Sequence, residues 1–155
     1  MGIPALAPLA ALDRLPLAAA IRESVWAFPL IEIVHIAAFA AMVGSVLTIE
    51  MRVFGLARAL PLVDLGRLGA GIALAAFALA VCSGSLLFLA DASGYVANRA
   101  FAVKLGLITV AAVNMLVFHA RGSLARPDGL AKVQAALSLL LWLGVITAGR
   151  LIAYI

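Results

Sequence analysis

The sequence predicts an all-α membrane protein: a four-helix transmembrane bundle with a short N-terminal interfacial helix. Of the 155 residues, 66% are hydrophobic and only 12% are charged, whereas a soluble domain is about half apolar and about a quarter charged. A spanning helix needs about 20 residues, so the length suits four spans with short connectors in one domain, residues 1–155. The single cysteine, Cys82, excludes an internal disulfide and a cysteine-rich metal site.

The N-terminal region predicts the interfacial helix, over residues 9–24, in which charged and apolar residues alternate. Its polar residues are Asp13, Arg14, Arg22 and Glu23. The first span follows over residues 25–51. Pro29 falls in the first turns of that span, where a missing N–H donor costs little.

The connector over residues 52–64 is too polar to span, and Pro61 precedes a fresh start. The second span is predicted over residues 65–89. It is rich in Gly and Ala and carries the sequence Cys82-Ser83-Gly84-Ser85. Because small residues let helices approach closely, this stretch predicts a tight helix contact.

Two further loops and two further spans are predicted in the second half of the chain. Residues 91–98 predict a loop, with Ser93 and Gly94 as turn residues. The third span is predicted over residues 99–120. Next comes a loop containing Arg126-Pro127-Asp128-Gly129, a strong turn signal. The fourth span is predicted over residues 130–154.

The distribution of Lys and Arg predicts the topology, because cytoplasmic connectors carry an excess of basic residues. The first and third connectors contain Arg52, Arg58, Arg67, Arg121, Arg126 and Lys132, whereas the N-terminal segment and second connector contain Arg14, Arg22 and Arg99. The chain is therefore expected in the bacterial inner membrane, with both termini in the periplasm. No basic run or phosphate-binding loop occurs in the sequence, which argues against a nucleic-acid partner.

Ionisable residues inside the spans are candidates for function, because a charge near the bilayer centre costs at least about 2.5 kcal/mol. A rise of 1.5 Å per residue puts His35, Lys104, Glu32 and Arg150 about 5, 8, 9 and 12 Å outside the midplane. We call these four residues the polar layer. Glu50 and His119 fall about 14–18 Å on the inner side, where Glu50 marks the membrane boundary.

The polar layer predicts a redox site that binds haem b. His35 is the candidate axial ligand and therefore the candidate metal ligand, because it lies deep in its span. Lys104 and Arg150 match the charge of the haem propionates, and Glu32 shares a face with His35. His35 and His119 differ in height by roughly 20 Å, so one iron cannot use both. Electron exchange with quinone would follow.

Each residue of the polar layer also has a simpler structural interpretation. His35 is then a neutral histidine bonded to Glu32 or a neighbouring helix, or a proton relay. Glu32 is a partner of Lys104 or Arg150, and Arg150 extends outward to lipid headgroups. His119 is an interfacial histidine. Two further functions therefore stay open: a small transporter or proton- or metal-handling protein, and a structural accessory subunit. Any of these could form a homo-oligomer through small residues.

Several stretches also carry a family resemblance. They are Glu23-Ser24-Val25-Trp26-Ala27-Phe28-Pro29 leading to Glu32 and His35, Glu50-Met51-Arg52-Val53-Phe54-Gly55, Asn98-Arg99-Ala100-Phe101 to Lys104, Asn114 with Phe118-His119, and Gly149-Arg150-Leu151-Ile152-Ala153-Tyr154. Over nearly its whole length the sequence resembles a family of small bacterial four-span integral membrane proteins of unknown function. Members of that family often carry Asp in place of Glu50. The resemblance implies the four-helix membrane fold and no activity. The sequence is more loosely similar to membrane b-type cytochromes and copper-resistance membrane proteins.

Overall fold

The computed structural model of the chain describes residues 7–125 and 127–154, and this part is all α-helical. The helices are α1 (Ala7–Asp13), α2 (Pro16–Glu23), α3 (Ala27–Val53), α4 (Leu62–Ala90), α5 (Ala92–Ala97), α6 (Arg99–Ala120) and α7 (Gly129–Leu151). Four of them, α3, α4, α6 and α7, are long and apolar enough to cross a membrane. The predicted class is therefore confirmed. A helix satisfies its backbone hydrogen bonds internally, as hydrocarbon requires.

The bounds of the long helices follow from local capping. The third span has the predicted limits, because the Asn98 side chain accepts from the N–H groups of Ala100 and Phe101 at 2.9 and 3.2 Å. Helix α3 begins at Ala27, whose N–H donates to Ser24 Oγ at 3.1 Å, so Pro29 does lie in the first turn.

In the other three spans, both bounds shift by one to three residues. Helix α4 begins directly after Pro61, three residues earlier than predicted, and α7 ends at Leu151, three residues early. Arg126, part of the predicted turn, lies outside the described residues. Asp128 caps α7 by accepting from the Ala131 N–H at 2.8 Å.

Two local predictions are wrong. The single interfacial helix over residues 9–24 is two helices, α1 and α2, because Pro16 disfavours helical geometry at the preceding residue. Leu15 is accordingly extended, with φ −62° and ψ 142°. The predicted loop over residues 91–98 contains α5, whose first turn is held by two carboxylates. Asp91 Oδ1 accepts from the Gly94 N–H at 3.1 Å, and Asp13 Oδ1 accepts from the Ala92 N–H at 2.7 Å.

The long helices form two antiparallel hairpins, α3 with α4 and α6 with α7. Contacts between the hairpins run mainly through α3 and α7, where the rings of Phe39 and Trp142 meet edge to face at 5.7 Å. The second hairpin is joined by Asn114 Nδ2, which donates to the Gln134 carbonyl at 3.0 Å. In the described residues α6 packs extensively on α7, whereas its contacts with α3 and α4 are few and include Phe118 in the apolar cluster described below.

The bundle has two ends, named here after a residue that each contains. The His35 end holds the starts of α3 and α6, the ends of α4 and α7, and the short helices. There Arg22 donates to the carbonyls of Ala90 and Asp13 at 2.7 and 2.6 Å, which ties the N-terminal helices to α4. The Glu50 end is the opposite one. Its apolar cluster contains Ile49, Val53, Leu62, Phe118, Ala131 and Ala135, with Leu124 packed against it.

Candidate functional site

His35 is held against α4 by its Nδ1 atom. That atom lies 2.9 Å from the Ala80 carbonyl oxygen and 3.1 Å from Ser83 Oγ. A carbonyl oxygen only accepts, so Nδ1 carries the proton. The Ser83 hydroxyl donates to the Leu79 carbonyl at 2.7 Å and therefore accepts from His35. In the neutral ring, Nε2 is left with a lone pair.

Gly84 creates the space for this contact. A Cβ atom added to Gly84 would lie 3.0 Å from Cε1 of His35, tighter than ordinary van der Waals contact. The Ser83-Gly84 sequence was predicted to allow close helix approach, and the side chain that approaches is His35. The partners of His35 are thus a backbone carbonyl and a hydroxyl of α4.

Lys104 lies on α6 at the same end, half-buried against α7. Its stem crosses Gly149, where an added Cβ would lie 3.6 Å from Nζ. Among the described residues, Lys104 makes no salt bridge. The charges of Lys104 and Glu32 both act on the His35 ring, so these three members of the polar layer lie in one region at the His35 end. The site therefore contains a histidine with a free lone pair and an ammonium without a counter-ion.

Glu32 is exposed on α3, and its charge also acts on Tyr95 of α5. Burial raises the pKa of the Tyr95 hydroxyl, and the negative charges of Glu32 and Asp91 raise it further. The Tyr95 ring packs against those of Phe101 and Phe88, with centroids 5.3 and 6.2 Å away. The sequence analysis did not predict this aromatic cluster beside the site.

The structure does not bring Arg150 to the other members of the polar layer. Its guanidinium lies 4.9 Å from the centroid of the Tyr154 ring, and Nη2 donates to the Tyr154 hydroxyl. This contact agrees with the simpler interpretation, in which the Arg150 side chain extends outward from the bundle. The residue sits at the last turn of α7, so its long side chain reaches the helix end instead of the interior.

His119 lies at the Glu50 end and is exposed, with Nδ1 2.9 Å from the Met115 carbonyl oxygen. Its neighbour Phe118 packs with Ile49. Ile49 is about 21 Å further along α3 than His35. The two histidines of one chain therefore lie at opposite ends of the bundle, too far apart for one iron.

The structure corrects the interpretation of Glu50 as a residue that marks the membrane boundary. Its side chain is only 5% exposed and lies inside the bundle, hydrogen-bonded to Ser138 of α7. Sequence reasoning also missed Gln134, which is buried and accepts from Arg121 Nη1 at 3.0 Å. Both errors have one cause: spans that are apolar all round give no signal for which face points inward.

Within the part of the chain that the structure describes, no group of three or more His, Cys, Asp or Glu residues could hold a metal ion. No protein-family model, curated protein or solved structure matches the chain. Function is therefore inferred from the geometry of these residues alone.

Proposed function

We propose that the protein binds haem b within the membrane through His35 and exchanges electrons with a membrane quinone. The observation that carries the proposal is the bond from His35 Nδ1 to the Ala80 carbonyl. Histidines that ligate metals usually donate the other ring N–H to a backbone carbonyl or carboxylate, which fixes the tautomer and raises the basicity of the ligating nitrogen. His35 has this arrangement, and its Nε2 lone pair is the donor that a haem iron takes.

The remaining residues of the site fit the same ligand. Lys104 supplies a half-buried positive charge near His35, and a propionate would be its counter-ion. Ser83 and Gly84 fix the orientation of the imidazole ring against α4. Haem b, when bound, supplies one-electron redox chemistry. The chain's own residues would supply the iron ligand and the countercharge. The hydrocarbon of the membrane around them would exclude water.

Location and assembly are parts of the same proposal. The bias of basic residues toward the first and third connectors supports the bacterial inner membrane with both termini in the periplasm. Residues 27–37 of α3 contain no buried side chain, which leaves that segment available to a second copy in a homo-oligomer.

A non-redox function is the alternative. The same three residues, Glu32, His35 and Lys104, could handle protons or ions as part of a small transporter, and the unpaired ammonium of Lys104 favours this alternative over a purely structural subunit. The two proposals predict different visible absorption spectra, because only a haem-binding protein contains a chromophore.

The visible spectrum of the purified protein, expressed with haem supplied, tests the proposal. We expect a Soret band that His35→Ala abolishes and His119→Ala retains; the second variant is the matched control, because His119 lies at the other end. Lys104→Ala should weaken haem retention but keep ligation. Arg150→Ala should do so less, because Arg150 is engaged with Tyr154.

A protein that stays colourless after reconstitution with haem would contradict the proposal and favour the non-redox alternative. Equal loss of the Soret band in the His35→Ala and His119→Ala variants would contradict the single-ligand arrangement. It would mean that two copies supply the two histidines, or that each histidine holds its own haem.

A further inference from the structure

Glu50 is an ionisable side chain sealed inside the membrane-spanning bundle. It is 5% exposed and lies between Ile49 and Val53, two members of the apolar cluster at this end. It is about 22 Å along α3 from His35 and takes no part in the proposed haem site. A buried carboxyl at this depth needs a partner, because hydrocarbon solvates neither charge nor unpaired polar groups.

The carboxyl of Glu50 is only half satisfied. Among the described residues, the side chain that interacts with this carboxyl is Ser138 on α7, across the contact between the two hairpins. The other oxygen, Oε2, has no hydrogen-bond partner among the described residues. Unpaired buried polar atoms are few in folded proteins and call for an explanation such as a bound ion or proton.

Among the described residues, no countercharge reaches this carboxyl. The described charged or titratable side chains at this end are Asp64 and Arg67 of α4, Lys132 of α7, His119 of α6, Arg58, Arg121 and Asp128 in the two connectors, and Arg52 of α3 itself. All except Arg52 are exposed, and Arg52 donates to the Leu60 carbonyl at 2.7 Å. Only burial and the Ser138 bond act on Glu50. An ionised carboxylate here would be an uncompensated buried charge.

We propose that Glu50 and Ser138 form a membrane-embedded proton-binding site, separate from the His35 site. The carboxyl is held as a neutral acid, in which Ser138 donates to one oxygen and the bound proton resides on the other. The proton comes from, and returns to, the aqueous phase at the Glu50 end. Release leaves a carboxylate and is driven by a high pH on that side.

Carbodiimide labelling in detergent or proteoliposomes tests this proposal, because carbodiimides react with protonated carboxyls. We expect hydrophobic dicyclohexylcarbodiimide to label Glu50 near neutral pH, and a water-soluble carbodiimide to label exposed acids such as Glu23 and leave Glu50 unmodified. Mass spectrometry of peptides locates each adduct. Glu50→Gln should lose the hydrophobic adduct, and Glu23→Gln is the matched control that keeps it.

Labelling of Glu50 should fall reversibly as pH rises, while the protein stays folded. Glu50→Gln mimics the neutral acid, so its thermal stability should equal or exceed that of the wild type, and it should lack the alkaline loss of stability that ionised Glu50 causes. Three results would overturn the proposal. They are absence of labelling at Glu50 at any pH, labelling that does not change with pH, and protection by sodium but not by choline, which would make the site a cation site.

Discussion

The two ends of the bundle differ in how completely they enclose an ionisable side chain of α3. At the Glu50 end, Ile49, Glu50 and Val53 of α3 are all buried, with Val53 only 3% exposed. At the His35 end, no side chain over residues 27–37 of the same helix is buried, and Ile33 is 60% exposed. His35 therefore sits on a partly open surface, whereas Glu50 is isolated from solvent and lipid.

The difference comes from how the helices are joined. At the Glu50 end each connector joins the two helices of one hairpin, and side chains of all four long helices meet in one apolar cluster, which includes Leu62, Phe118 and Ala131. At the His35 end the connection between α4 and α6 contains α5, and α1 and α2 pack there as well. An open end leaves room for a ligand as large as a cofactor, whereas a closed end leaves room only for one as small as a proton.

The largest expected effect is a loss of stability caused by overpacking the α3–α4 contact toward the Glu50 end. A Cβ added to Gly69 would lie 3.0 Å from two side-chain atoms of Ile49, so Gly69→Leu should destabilise the protein by about 1–3 kcal/mol. Gly71→Leu on the same helix is the matched control, because an added Cβ there meets nothing within 4 Å. Thermal unfolding in detergent measures both.

Gly106 extends this test to the open end. An added Cβ at Gly106 of α6 also meets nothing within 4 Å, so Gly106→Leu should change stability by no more than about 0.5 kcal/mol. If Gly106→Leu destabilises as much as Gly69→Leu, the two ends are equally tightly packed and the comparison fails.

A smaller effect is expected from Asp13, which joins α1 to the start of α5 at the His35 end. The Ser93 hydroxyl, followed by the N–H groups of Ala92 and Ser93, lowers the pKa of Asp13 below its ordinary value of 3.8. A lowered pKa means that the ionised form stabilises the fold above pH 3.8, and that this contribution is lost as the pH falls through the lowered pKa. Asp13→Ala should therefore lower the melting temperature at neutral pH and remove part of the acid-induced loss.

Hydrogen exchange should confine the effect of Asp13→Ala to one end. Amides of α5 should exchange faster, while those around Phe118 should keep their protection. Asp64→Ala, which removes an exposed carboxylate at the Glu50 end, serves as the control. Faster exchange at both ends in Asp13→Ala would show that they are coupled.

The smallest effect is expected for the ion pair at the surface of the Glu50 end. Arg121 Nη2 lies 2.7 Å from Asp128 Oδ2, and both side chains are substantially exposed. Asp128→Asn keeps the oxygen that caps α7 and replaces the oxygen that accepts from Arg121 with an uncharged amide NH2, so the melting temperature should fall slightly at low salt and approach that of the wild type at high salt. A large, salt-independent loss would mean that this pair, and not the apolar cluster, closes that end.

Sequence reasoning succeeded where the physical cause is local. Pro29 was predicted in the first turns of the first span, and the third span was predicted with the limits that α6 has; the structure shows that the Asn98 side chain caps its first turn. It failed where a contact between segments that are distant in the sequence determines the local structure. The bond from Asp13 to the Ala92 N–H helps turn the predicted loop into α5, and nothing near residue 92 in the sequence indicates it.

The sequence by itself determined that the protein is a bundle of four membrane-spanning helices, because the backbone in hydrocarbon must bond internally and the apolar segments have the length to do so. Only the tertiary structure decided which polar groups meet. His35 pairs with the Ala80 carbonyl, Glu50 with Ser138, and Arg150 turns away to Tyr154. The physical reason is that these helices are apolar on every side, so the sequence carries no periodic signal for their rotation, and the rotation follows from packing between small and large side chains.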